Sequence, residues 1–148
     1  MISAFRNPDN RDSAVHGAGL LPLLFCACSL VFAAPPPLPA ELVSAWTRFQ
    51  QALRADDPDA LSQVTRFPLR SNEFGGDVST PSALREKYQT LFPQKTRQCL
   101  LASSLKRRHY DKGTYYDVFC DVGPYPIRFI FEQAGSRYYF TSIDNVNE

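Results

Sequence analysis

Hydrophobic residues change their spacing once along this chain, and the change separates helices from strands. From Pro39 to Ala55, Leu42, Trp46, Phe49 and Leu53 recur at intervals of four, three and four, with Ala45 and Ala52 beside them. That is the period of one helix face. Glu41 stands in the first turn, where the helix dipole favours a carboxylate, and Arg48, Gln50, Gln51 and Arg54 fall largely outside the stripe. The pattern predicts an amphipathic helix packed on a core, with Trp46 inward. Asp57-Pro58-Asp59 restarts the helix, Asp57 as cap and Pro58 in the first position, and Leu61 and Val64 supply its buried side. Phe67-Pro68-Leu69 closes this second helix, because proline drives the residue before it towards an extended conformation. Ser71 to Thr80, with Gly75-Gly76, reads as a polar loop. Thr80-Pro81 then repeats the cap-and-proline signal and opens a third helix with Leu84, Tyr88, Leu91 and Phe92 inward, ended by Pro93.

From Arg97 onward the period falls to two. Cys99, Leu101, Ser103 and Leu105 alternate with Gln98, Leu100, Ala102 and Ser104. Tyr116, Val118, Cys120 and Val122 form one face of the next strand, and Tyr115, Asp117, Phe119 and Asp121 the other. Tyr110-Asp111-Lys112-Gly113 suits the hairpin between these two strands. Gly123-Pro124-Tyr125-Pro126 precedes a strand in which Ile127, Phe129 and Phe131 oppose Arg128, Ile130 and Glu132, and Ala134-Gly135-Ser136 turns into the last, Arg137 to Ile143. Antiparallel strands that follow helices, rather than alternate with them, indicate an α+β domain.

The order of elements resembles the nuclear transport factor 2-like (NTF2-like) superfamily. The residues that carry the resemblance are Phe49 to Asp57, Phe67-Pro68-Leu69, Leu84 to Phe92, Arg128 to Phe131 and Tyr138 to Asp144. It implies three N-terminal helices packed on a curved antiparallel sheet, a cone with a pocket between the two layers. In such a cone the pocket candidates are Trp46, Tyr88, Asp117, Phe119, Asp121 and Phe129. Members of the superfamily include isomerases, dehydratases and many binding modules, so the fold does not settle the function.

The residues themselves favour binding over catalysis. Isomerase-like members use a carboxylate base with Tyr and protonated Asp donors, and dehydratase-like members use His with Asp. Here His109 is the one histidine beyond the N-terminal segment, and it belongs to a basic hairpin tip, Lys106-Arg107-Arg108-His109. Asp117 and Asp121 on one strand face would suit a cavity, but a solvated strand face is the simpler reading of two carboxylates. No metal cluster, phosphate loop or nucleophile elbow occurs, and no cofactor is implied. The basic tip suits an acidic partner or phosphate, or is simply solvated. The expectation is a non-catalytic module that binds a small hydrophobic ligand in the cone or a protein partner, an immunity protein against a secreted toxin being one form. The alternative is a small lyase or isomerase with an Asp–Tyr site. Pairing through the sheet would make a homodimer. With 16 Lys and Arg against 15 Asp and Glu, and a net charge of +1, no global field draws the chain to nucleic acid or anionic lipid.

Residues 1–34 read as a signal peptide, 35–40 as a proline-rich linker and 41–148 as the single domain. Gly19 to Ala34 is almost wholly apolar, too short to span a bilayer comfortably, and ends in small residues, so cleavage is expected after Ala33 or Ala34. A periplasmic or secreted protein with no stable membrane span follows. Retention as an anchor is the alternative, and lipid attachment at Cys28 is disfavoured by Phe25 and Cys26 before it. Removal of Cys26 and Cys28 leaves Cys99 and Cys120, an even pair in an oxidising compartment, and a disulfide is expected. Two buried thiols are the plain alternative. A tight turn at Asp111-Lys112 would set Cys120 opposite Ser103, about four residues from Cys99 and beyond disulfide reach. On this reading the bond requires a longer loop, Arg107 to Gly113, or a bulged strand.

Overall fold

Helix α1 (Ala40–Ala55) buries the stripe the sequence marks, Leu42, Ala45, Trp46, Phe49, Ala52 and Leu53. The computed structural model describes residues 36–72, 74–110 and 113–145. The expected signal segment 1–34 with its expected cleavage site, Cys26, Cys28, and the expected turn residues Asp111 and Lys112 lie outside the described residues. Helix α2 (Pro58–Gln63) starts where Asp57 Oδ1 accepts from the backbone N–H groups of Asp59 and Ala60, at 3.0 and 2.9 Å. Helix α3 (Pro81–Leu91) starts on Thr80, whose hydroxyl accepts from Ala83 N–H at 3.2 Å. Leu61, Leu84, Tyr88, Leu91 and Phe92 are buried as expected.

Two elements differ from the sequence reading. Strand β1 (Thr65–Ser71) occupies the stretch that reads as a helix end and a polar loop. It pairs in parallel with β5 (Arg137–Asn145) and contains the cis Phe67–Pro68 bond. A proline lacks the N–H that a central strand must donate, so an edge position accommodates it. The far side of β1 is closed by Leu69 and Val78, which exchange two backbone hydrogen bonds of 2.9 Å. The second difference is a fourth helix, α4 (Gln94–Ala102), where a strand was expected to begin. Cys99-Leu100-Leu101-Ala102 is a continuous apolar run, which satisfies either period. Tertiary contact decides it: Gln50 Nε2 on α1 donates to the carbonyls of Leu100 and Leu101, at 3.0 and 3.4 Å, which a helix end leaves without intrahelical partners.

Strands β2 (Lys106–Tyr110), β3 (Gly113–Cys120) and β4 (Ile127–Ala134) complete an open sheet of order β1-β5-β4-β3-β2, antiparallel except at β1–β5. Its inner face carries Tyr116, Val118, Cys120, Ile127, Phe129 and Phe131 against the helices. A bulge between β4 and β5 sets Phe140 opposite Phe131 and Ile143 opposite Phe129, so both β5 residues reach that face despite their odd spacing.

Cys99 and Cys120 form a disulfide, with Cα atoms 5.8 Å apart. The register of β2 on β3, continued backwards, does set Cys120 opposite Ser103. Neither the longer loop nor the bulge is needed, because residues 99–102 are helical. Four helical residues advance about 6 Å where four strand residues would advance about 13 Å. Residues four apart also share a helix side, as the 2.7 Å bond from Ser103 Oγ to Cys99 O reflects.

Candidate functional site

Among the described residues, the layer between helices and sheet, where the pocket was expected, is packed with rings. Phe49 lies 5.2 Å from Phe131, 5.1 Å from Phe140 and 5.4 Å from Trp46, centroid to centroid. Phe92 lies 6.1 Å from Phe129 and 6.0 Å from Phe140. All five phenylalanines are fully buried. Of the pocket candidates, Trp46, Tyr88 and Phe129 belong to this packed layer. Asp117 and Phe119 stand on the opposite face of the sheet, and Asp121 is exposed just beyond β3. The six therefore do not line one cavity.

The outer face explains a correction: Asp117 is 0% exposed, not solvated. Its strand neighbours on that face are Tyr115 and Phe119, and across from it stand Lys106 on β2 and Ile130 on β4. Two arginines cross above it. Arg108 is in register with Tyr115 yet lays its guanidinium over Phe119, 5.1 Å from the ring centroid. Arg128 is in register with Phe119 yet lies over Tyr115 at 5.7 Å. Each side chain runs diagonally past Asp117, and the pair roofs it. Arg108 Nε donates to Asp117 Oδ1 at 3.3 Å. Arg128 donates to Tyr115 Oη at 3.1 Å and to Asp144 Oδ2 at 3.5 Å, and Ser142 Oγ holds the other oxygen of Asp144. Asp117 Oδ2 is buried with no hydrogen-bond partner among the described residues.

Burial lifts the Asp117 carboxyl above its ordinary pKa of 3.8, outweighing the pull of Arg108 and the smaller pulls of Arg128 and Lys106. Between 3.8 and the raised value the folded chain holds a proton the unfolded chain has released, so stability falls as pH rises through that window. Asp117→Asn is expected to raise the melting temperature at pH 7 and to lose that advantage below pH 3.8. Melting curves across pH check this; a variant less stable than the parent at pH 7 would mean the Arg108 pair outweighs burial.

The basic tip is split by the strand's alternation. Lys106 and Arg108 take the outer face, and Arg107 the inner, where it lies 5.7 Å from the Tyr116 ring and donates to Pro37 O at 3.1 Å. His109 is exposed and shares a 3.0 Å hydrogen bond with Thr114. Sequence reasoning did not single out a groove of about 550 Å³ lined by Ala40, Glu41, Ser44, Arg48, Arg137 and Tyr138. The three-and-four spacing of Glu41, Ser44 and Arg48 is its one linear signal, since Arg137 and Tyr138 reach it only through the path of β5. No group of His, Cys, Asp and Glu among the described residues is arranged to hold a metal ion, and no described helix is long and apolar enough to cross a membrane.

No protein-family model matches the chain, and no curated protein is similar to it in sequence. Among solved structures it is similar to a cystatin-like-fold protein of unknown function from Nostoc punctiforme, with 12% identity, a TM-score of 0.48, and 71% of this chain and 86% of the other covered. It is also similar to Aln2 from a Streptomyces species, with 11% identity, a TM-score of 0.45 and coverages of 74% and 91%. A third likeness is an NTF2-like protein of unknown function from Shewanella oneidensis, with 16% identity, a TM-score of 0.38 and coverages of 71% and 95%. The order of helices and strands in this chain is α+β, helices packed on an open five-stranded sheet, in line with the expectation from the NTF2-like resemblance, and a shared fold says nothing of activity.

Proposed function

We propose that this chain is an exported, non-catalytic NTF2-like module that engages a protein partner through the outer face of its sheet. The observation that carries the reading is the ring packing of Phe49, Phe92, Phe129, Phe131 and Phe140, which takes the volume a substrate would need. Binding is then left to the outside. On the outer face, guanidinium groups stacked on Tyr115 and Phe119 supply large contact area already ordered before binding, and Arg and aromatic residues are the types that dominate interface energetics. Phe119 is 36% exposed there, an apolar anchor rimmed by charge. Export is supported by the Cys99–Cys120 disulfide, a bond that persists in oxidising compartments. A toxin-neutralising immunity protein is one form such a module takes. The lyase or isomerase alternative has one support, the buried Asp117 beside Tyr115, and against it stands the roof of Arg108 and Arg128 over that carboxylate.

The test is native mass spectrometry of the protein purified from the exported fraction, with cross-linking in that compartment for the parent and for Phe119→Asp. The expected result is a polypeptide beginning at Ala34 or Pro35, carrying no small molecule and cross-linked to a protein that Phe119→Asp loses. An equimolar apolar ligand would overturn the reading and return function to the interior. A doubled mass that Phe119→Asp abolishes would assign the face to a second copy of this chain.

A further inference from the structure

We propose that the groove between α1 and β5 is a binding site for short zwitterionic peptides, recognised by their two charged ends. Glu41, Ser44 and Arg48 share one side of α1, because residues three and four apart on a helix are neighbours. At about 1.5 Å per residue the acid and the base stand about 10 Å apart along the helix axis. Arg137 and Tyr138, at the start of β5, form the facing wall.

The two arginines of the groove have no carboxylate partner among the described residues. Arg70, Arg85, Arg97, Arg108 and Arg128 each have a carboxylate within 4.0 Å or less: the pairs are with Glu132 at 2.9 Å, Asp59 at 2.5 Å, Asp56 at 3.1 Å, Asp117 at 3.3 Å and Asp144 at 3.5 Å. Among the described residues Arg48, Arg54, Arg66, Arg107 and Arg137 have none, and of these Arg48 and Arg137 come together in this groove. Two guanidinium groups brought to one groove repel each other, and an oxyanion relieves that repulsion while accepting charge-assisted hydrogen bonds. Along the α1 wall, the end opposite Arg48 has the opposite sign. Glu41 has no cation partner among the described residues, so it repels an anion and attracts an ammonium group. A simple anion therefore matches only half the groove.

A molecule with an ammonium at one end and a carboxylate about 10 Å away matches both halves. An extended peptide spans about 3.3–3.6 Å per residue, so about three residues fit. The Ser44 hydroxyl stands between the charged ends, within the stretch a peptide backbone would cross. Tyr138 is only 8% exposed and packs edge-on against Tyr116 at 5.6 Å, which gives the groove a fixed aromatic floor. Burial holds its phenol above the ordinary tyrosine range, so it stays neutral beside the charged ends. This site lies on the helix side of the sheet and does not rest on the outer-face reading.

Triglycine, which has both termini and no side chains, is the probe; isothermal titration and amide chemical-shift mapping are the readouts. The expected result is saturable binding with shifts centred on Glu41, Ser44, Arg48 and Arg137. N-acetyl-triglycine, triglycine amide, Glu41→Gln and the double variant Arg48→Ala/Arg137→Ala are each expected to weaken it by about tenfold or more. Glu41→Gln should not weaken the binding of N-acetyl-triglycine and should strengthen it slightly, because that ligand has no ammonium to lose and its carboxylate is freed from the Glu41 charge. The substituted side chains are exposed, so melting temperatures should match the parent. Absence of saturable binding would overturn the proposal. So would equal affinity for N-acetyl-triglycine, which would reduce the groove to an anion site, or full affinity in the variants.

Discussion

Replacing Phe49 by alanine is expected to destabilise the domain by about 4 kcal/mol, the middle of the range for a phenylalanine removed from a packed core. Phe49 is fully buried and its ring contacts those of Trp46, Phe92, Phe131 and Phe140, so it joins α1 to the end of α3 and to strands β4 and β5 at one point. The neighbours cannot collapse into the space, because each is itself held by a further ring: Phe92 by Tyr88 and Phe129, Phe131 by Trp46. A cavity would persist, and its cost adds to the lost transfer energy of the ring. Domains of this size hold about 5–15 kcal/mol in total, so the variant sits near the limit of folding. Urea unfolding of parent and variant measures the difference. A loss below about 1 kcal/mol would mean that the interior rearranges freely, and would reopen the case for a ligand there.

Loss of the disulfide comes second, at about 3 kcal/mol. The bond closes a sequence separation of 21 residues, and loops of that order restrict the unfolded chain by about this amount. The effect should be uneven. Helix α4 buries only Thr96 and Leu100 completely, so its hold on the domain depends on the bond to Cys120 in the sheet and on Gln50 of α1 more than on packing. In Cys99→Ala/Cys120→Ala, amide exchange is expected to rise first across Gln94–Ala102 and to change least in α1. Denaturation midpoints with and without reductant should differ for the parent and coincide for the double variant. Coincident midpoints in the parent would show that the bond contributes nothing, and thiol labelling that found two free cysteines would remove it altogether.

The candidate surfaces were partly legible in the chain. Asp117 and Phe119 could be placed on one strand face from alternation alone, and that placement holds. Their surroundings could not be read, because Arg108 and Arg128 arrive from two other strands and cover Asp117 by diagonal crossing rather than by direct opposition. Burial of a charge is a property of what lies above it, and no spacing in β3 encodes that. Likewise Trp46 and Phe129 were correctly given to the inner layer. Whether that layer encloses space or fills it depends on how side chains from α1, α3, β4 and β5 interdigitate.

By itself the sequence determined the elements whose signals are local. The stripe of α1, the Asp57 and Thr80 caps and the alternation of β3 and β4 each depend on residues within a few positions of one another, and each was found where expected. The tertiary structure alone decided the elements whose stabilising partners are distant. Strand β1 exists because β5 pairs with it in parallel across more than half the domain, and a Pro-containing stretch has no strand signal of its own. Helix α4 is a helix because Gln50 meets its final carbonyls, and that choice brings Cys99 to Cys120. The groove of Glu41, Arg48 and Arg137 belongs to the same class, since its two walls are joined by the fold and not by the chain.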